Sequence, residues 1–461
     1  MKLSWPLALL FTALLAGLCV SPVAVTVAVI GLLVWALIGP LQALQALLLA
    51  IVIKYLNPGL VHFGGEAGFL LWLVPLAAGV RVLPRLRTQH LRILAFVWAF
   101  ALAAGILSLH SSPAVAISVM KLITFVWVIS TVIVAYGSLA SRQIETLTTW
   151  FWTLAITVIG LSALTRAVPG IAFLRNGLGL QGILNHPQAL GIFTAPIAAI
   201  LLARLALTRE SIKLLDAIVL AGVWIVMIMT QARTAAVAAA LGVLIALLTR
   251  LIRTRHSGVQ AGIGKIAAVM ACGGAMLVVA LFTVSDLSGS VASFLLKRSD
   301  TQDVSDAFQQ SRGGAILGQW QNFLSAPWAG HGFGVYADGY FPAGVVEFAG
   351  IPISAPVEKG FVPTAVLEET GVLGGTLFFL MLWACARDVW RNADLCWIAA
   401  FVTCLAVNIG EAVILSPGGI GLYLWELIGL AITKAQTTMP HAEGMEVSRA
   451  DSPRHFQNLM T

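Results

Sequence analysis

The chain has 461 residues, of which 59% are hydrophobic and only 10% charged, with a mean hydropathy of +0.93 and a formal net charge of +7. Soluble domains carry about 25% charged residues, so this composition excludes a soluble fold, which would need far more polar surface. Runs such as Leu214 to Met229 and Ile266 to Phe282 are apolar on every face, which excludes a transmembrane β-barrel with its alternating strands of about ten residues.

In chain order, Met1-Lys2 and the apolar run Leu7 to Val20 could mark a cleaved leader. A retained first helix is preferred, because Ser21-Pro22 leads into another apolar run and no Ala-x-Ala-like site stands out. Apolar segments are expected near residues 5–20, 22–39, 43–56, 67–80, 91–109, 114–137, 146–164, 188–206, 214–231, 233–250, 264–284, 362–385, 395–412 and 420–434. The first four are short against the roughly 20 residues of a membrane span, so the expected fold is an all-α polytopic transmembrane bundle of about 12–14 spans. The expected organisation is a bundle over 1–284, a large and partly helical loop over 285–361, C-terminal membrane helices over 362–436, and a polar, disordered tail over 437–461. The five cysteines lie in or beside apolar runs without a short CxxC pair, so neither a disulfide nor zinc is expected.

Alternating the spans from an inside N-terminus puts eighteen Lys and Arg in the inner loops. Seven fall outside: Arg166, Arg175, Arg233, Lys297, Arg298, Arg312 and Lys359. That bias predicts both termini in the cytoplasm of a bacterial-type inner membrane and the long loop on the periplasmic face. It also accounts for the positive net charge without a nucleic-acid partner.

The outside segments hold the chemistry. The long loop carries Phe294, Phe308, Trp320, Trp328, Phe333 and Tyr336, too many large apolar groups for disorder. A helix is expected over about Gly313 to Leu324, stopped at Ser325-Ala326-Pro327. Then follow Gly330-His331-Gly332-Phe333-Gly334, where glycines leave the imidazole unobstructed, and Glu358-Lys359. Two shorter outside segments are Asn185-His186-Pro187-Gln188 and Gln231-Ala232-Arg233-Thr234. An arginine between apolar runs is costly unless it meets an anion, a headgroup or a partner. Simpler readings stand beside each: Arg233 snorkelling to lipid phosphate, His331 as a solvated turn residue, His186 bonded to backbone, Glu358-Lys359 as a surface ion pair, and Glu368-Glu369 serving a helix N-terminus. Lys54, Lys121 and Glu411 lie in or near spans, where structural pairing explains them as well as transport does.

In this order the segments resemble the O-antigen ligase and O-antigen polymerase superfamily of bacterial envelope glycan transferases. Asn185-His186-Pro187-Gln188-Ala189-Leu190-Gly191 is similar to the family's loop-to-helix pattern, and Gln231-Ala232-Arg233-Thr234 to its Ser-Arg-Thr-Gly turn. Ser311-Arg312 with Ala326-Pro327-Trp328-Ala329-Gly330-His331-Gly332-Phe333-Gly334 resembles the glycine run of its large loop. Glu368-Glu369-Thr370-Gly371-Val372-Leu373-Gly374 resembles the Glu-x-Gly-Leu-Leu-Gly that opens the next helix. The resemblance spans about residues 180–380. One departure is that Glu358-Lys359-Gly360-Phe361 stands where many ligases carry a His-Asn pair, which leaves ligase and polymerase both open.

The resemblance is broadest to the ligases and implies transfer of an undecaprenyl-pyrophosphate-linked glycan to a sugar hydroxyl of lipid A-core, with a polymerase extending a second lipid-linked glycan as the alternative. Such chemistry needs a base at the acceptor and cations on the leaving pyrophosphate. His331 would be the base, with Glu358 the alternative. Arg233 and Arg312, with Arg298 or Lys359, would hold the pyrophosphate, and His186, Gln188 and Glu369 would support them. No cofactor and no metal are implied, since Asp300, Asp303 and Asp306 lack the glycine and terminal Glu of a calcium loop. The rival class is a lipid-linked glycan or solute transporter, which would require polar groups at mid-bilayer depth.

Overall fold

A computed structural model of the protein describes residues 2–63, 65–175, 177–207, 214–255, 313–342, 344–348, 351–357 and 359–437. Glu358, Arg298, Arg312, the span expected at 264–284 and the tail lie outside the described residues. The rest is mostly helical: α1 (Trp5–Leu18), α2 (Pro22–Ala36), α3 (Pro40–Lys54), α4 (Gly65–Val82), α5 (Thr88–Ser111), α6 (Val115–Gly137), α7 (Ser141–Leu164), α8 (Pro169–Ala172), α9 (Pro187–Leu207), α10 (Leu214–Met229), α11 (Arg233–Arg255), α12 (Gly314–Ser325), α13 (Val362–Asn392), α14 (Leu395–Ala406) and α15 (Gly421–Thr437). Prolines in the first turn start α2, α3 and α9, where their missing N–H costs nothing. In α2 the Ser21 hydroxyl also accepts from the Ala24 amide at 3.2 Å.

Among the described residues, six helices are long and apolar enough to cross a membrane: Thr88–Ser111, Val115–Gly137, Ser141–Ala167, Pro187–Leu207, Arg233–Arg253 and Val362–Arg391. Five more are apolar but shorter, α1, α2, α3, α10 and the stretch Leu395–Ile409. Exposed Val23, Val27, Ile30 and Val34 on α2, and Leu102, Ile106 and Leu109 on α5, form apolar surface that suits lipid chains and not water. Among the described spans α9 is the most enclosed, 89% of its apolar window being buried against 39% for α5, so α9 lies toward the centre of the described bundle and α5 toward its periphery.

The connections gather at two ends. At one, the loop end, Asn57 donates to the Ile171 and Gly182 carbonyls at 2.9 Å, and the Asn185 amide bonds Tyr55 O at 2.7 Å. Leu180 N bonds Met229 O at 2.8 Å, and Ala412 N bonds Lys359 O at 2.9 Å. The described residues of 55–61, 165–186, 359–361 and 407–420 are therefore joined by hydrogen bonds into one cap. At the opposite, arginine end, Arg81 donates to Ile38 O, Arg250 to Ala206 O, and Arg253 to Trp390 O and Ala393 O, satisfying carbonyls that helix ends leave bare. The expected helix at about 313–324 is α12; the same loop also holds a hairpin, Val346–Phe348 with Ile351–Ser354, that the sequence reading lacks.

Candidate functional site

The site is built on a break in α13. Gly371 sits inside that helix with φ 60° and ψ −168°, so Val372 N turns away from the helix and bonds Pro327 O at 2.8 Å. The break leaves the Glu368 and Glu369 carbonyls without helical donors, and the glycine-rich turn supplies them: His331 N to Glu368 O at 2.8 Å and Gly332 N to Glu369 O at 2.9 Å. A Cβ on Gly330 would lie 2.4 Å from the Glu369 carbonyl carbon, and one on Gly371 would lie 2.3 Å from Trp328 O. Both positions also have positive φ, so both need glycine.

Phe333 anchors the turn in the bundle. Its ring is 1% exposed and meets Phe100 of α5 and Phe125 of α6 edge-on at 5.9 and 5.8 Å, while its amide bonds Ser108 Oγ at 2.9 Å. Gly334 N then donates to Glu369 Oε2 at 2.9 Å, and Lys121 of α6 donates to Gly334 O.

Beneath the turn lies an ion cluster. Lys359 Nζ is 2.9 Å from Glu368 Oε2 and 3.2 Å from Glu369 Oε1, all three side chains at most 4% exposed. Burial alone would lower the Lys359 ammonium, but the Glu369 and Glu368 carboxylates outweigh it and raise its pKa above the ordinary 10.5. Lys121 adds a second cation beside Glu369, so two carboxylates face two ammoniums with no net charge. Neutrality is what makes such burial tolerable. Lys359 is thus committed to Glu368 and Glu369 and does not lie at the surface.

His331 sits above the cluster, half-buried, with Nε2 2.9 Å from Asn322 O and 3.0 Å from Ser325 Oγ at the end of α12. A carbonyl only accepts, which assigns the proton to Nε2 and leaves Nδ1 with the lone pair. The side chain of the same Asn322 donates to Glu368 Oε1 at 2.8 Å, so one residue ties the imidazole to the carboxylate cluster.

Arg233 opens α11 after a strained turn in which Gln231, a non-glycine, has φ 55°. Gly191 packs against Ala232 and Gly410 against Thr234, so this turn touches both α9 and the 407–420 loop whose Ala412 bonds Lys359. His186 Nδ1 accepts from Gln188 N at 3.1 Å, a cap on α9 that matches the simpler reading for that histidine. Glu369 is central to the cluster, whereas His186 and Gln188 join the cap through this backbone contact. Asn322, Glu368, Lys121 and Ser108 were not foreseen as site residues. The adjacent carboxylates Glu368-Glu369 in an apolar segment were the available signal; nothing local marks Ser108 or Asn322. Compared with known proteins, the chain matches no family model, and no curated protein matches its sequence.

Proposed function

We propose that the protein is a membrane glycan transferase of the ligase or polymerase kind. Its donor is a pyrophosphate-linked lipid glycan, and its site is the loop end, on the periplasmic face of a bacterial inner membrane with both termini cytoplasmic. One observation carries the reading: the glycine-rich turn with His331 and the Glu-Glu-Thr-Gly segment, two motifs of the resemblance, lock together at the break in α13. The turn with Arg233 adjoins the same cap. The Lys and Arg bias assigns all of these connections to the outer side.

In this reading His331 Nδ1 takes the proton of the acceptor hydroxyl as its oxygen bonds the donor's anomeric carbon. The bond from that carbon to the pyrophosphate oxygen breaks, and pyrophosphate on its lipid leaves with the electron pair, its charge met by Arg233 and by Arg312 or Arg298. Lys359, Glu368 and Glu369 hold the turn in place and take no part in the proton transfer. The acceptor is a lipid A-core sugar, for a ligase, or a second lipid-linked glycan, for a polymerase.

Purified protein is offered a lipid-linked glycan with each acceptor separately. Loss of product by about 10²–10⁴-fold in His331→Ala, and a comparable loss in Arg233→Ala, is expected. Product on lipid A-core makes it a ligase, and lengthened lipid-linked chains make it a polymerase. Undiminished transfer by both variants removes the site assignment.

One observation favours the transporter instead. Glu426 of α15 is 1% exposed, deep in the bundle, with the Tyr136 hydroxyl of α6 as its neighbour. Proton or solute flux in proteoliposomes that disappears in Glu426→Gln, without glycan transfer by the wild type, would select that class.

A further inference from the structure

Three lysines lie at the loop end within the described residues, and they are treated differently. Lys359 pairs with the carboxylates of Glu368 and Glu369, and Lys121 lies in the field of Glu369. Lys54, the last residue of α3, has no carboxylate partner among the described residues. Its half-buried ammonium reaches inward, donating to Gly418 O and resting 4.3 Å from the centre of the Trp72 ring. A snorkelling lysine would instead extend its head toward water or headgroups.

The surroundings are built to admit it. A Cβ on Gly418 would lie 2.3 Å from Trp72, so glycine lets the ring close on the turn, and Gly419 lies against Tyr55 Oη. Tyr55 Oη accepts from Ile420 N at 3.0 Å, which occupies a lone pair and leaves its O–H as a donor. An ammonium has three N–H groups, of which the carbonyl takes one and the ring face attracts the charge. The other N–H groups of Lys54, without an acceptor among the described residues, and the hydroxyl of Tyr55 therefore meet at the Gly418–Gly419 turn. That turn belongs to the same 407–420 loop that touches the Arg233 turn and Lys359.

We propose that Lys54 and Tyr55, at the Gly418–Gly419 turn, form a phosphate-binding position at the loop end. The proposal deepens the transferase reading, and rests on it for assigning the phosphate to the lipid-linked donor. The ligand chemistry is a phosphate oxyanion, because it offers several acceptors and the negative charge that Lys54 lacks.

The test is calorimetric titration of inorganic pyrophosphate into full-length protein in nanodiscs, one set of neutral lipid and one containing phosphatidylglycerol. Binding in neutral lipid is expected to weaken about tenfold or more in Lys54→Met, the scale of one charge-assisted hydrogen bond, and to survive in Lys54→Arg. Tyr55→Phe is expected to weaken it by a smaller factor. An unchanged melting temperature in Lys54→Arg shows that the fold is retained. Lys54-dependent binding that is equal in both lipids identifies a donor phosphate. Lys54-dependent binding that phosphatidylglycerol competes away identifies a headgroup phosphate at the same position. Pyrophosphate affinity in Lys54→Met equal to wild type in both lipids overturns the proposal. Absence of glycan transfer with Lys54-dependent binding intact overturns the transferase reading alone.

Discussion

The two ends of the bundle use cations in opposite ways. At the arginine end Arg81, Arg250 and Arg253 reach over the surface to bare helix carbonyls, and Arg92, with a side chain 54% exposed, pairs with Asp388. At the loop end Lys121 and Lys359 lie beneath a folded cap with two acids and no net charge. An exposed arginine on a helix carbonyl should contribute little on its own, whereas an ammonium enclosed with two carboxylates is costly to remove.

The largest expected effect breaks the loop end. Lys359→Met leaves two buried carboxylates facing Lys121 alone and should cost about 3–5 kcal/mol, read as a collapse in thermal stability or in yield of folded protein. The same pair predicts an alkaline limit. Because folding raises the Lys359 pKa, its contribution is complete below the ordinary 10.5 and is lost as pH rises through the raised value. A melting-temperature scan over alkaline pH should fall there, and Lys359→Arg should push the fall upward. A wild-type curve flat across that range would contradict the pairing.

Next in size is Gly330→Ala, which puts a methyl against the Glu369 carbonyl at a positive φ. It should cost about 1–3 kcal/mol from backbone strain before any clash is counted, and should lower transfer more than stability by shifting His331. Smallest is Arg253→Ala at the other end, where about 0.3–1 kcal/mol and unchanged transfer are expected. A loss as large as that of Lys359→Met would erase the contrast between the ends.

Most helices were legible in the sequence because lipid demands long apolar runs: the stretch expected at 362–385 is α13, and that expected at 313–324 is α12. The break in α13 was not. Glu368-Glu369-Thr370-Gly371 reads as the opening of a helix, whereas Gly371 interrupts one, since only the returning loop gives the freed carbonyls their donors. The hairpin at 346–354 is too short to carry a periodic signal. Lys359 reads as half of a surface pair with its sequence neighbour, but its partners lie nine and ten residues on, brought back by the turn into α13. Lys121 meets Gly334 across a separation of 213 residues, which no local pattern encodes.

Four consecutive amides, His331, Gly332, Phe333 and Gly334, each donate to a different acceptor: two helix carbonyls, a serine hydroxyl and a carboxylate oxygen. Raising this segment would exchange all four for water at about 0.5–1.5 kcal/mol each, and would pull Phe333 from between two aromatic rings. Such a segment is held too firmly to serve as a readily opening lid. The turn is therefore a fixed floor of the loop end, tied to α5 and α13 at once.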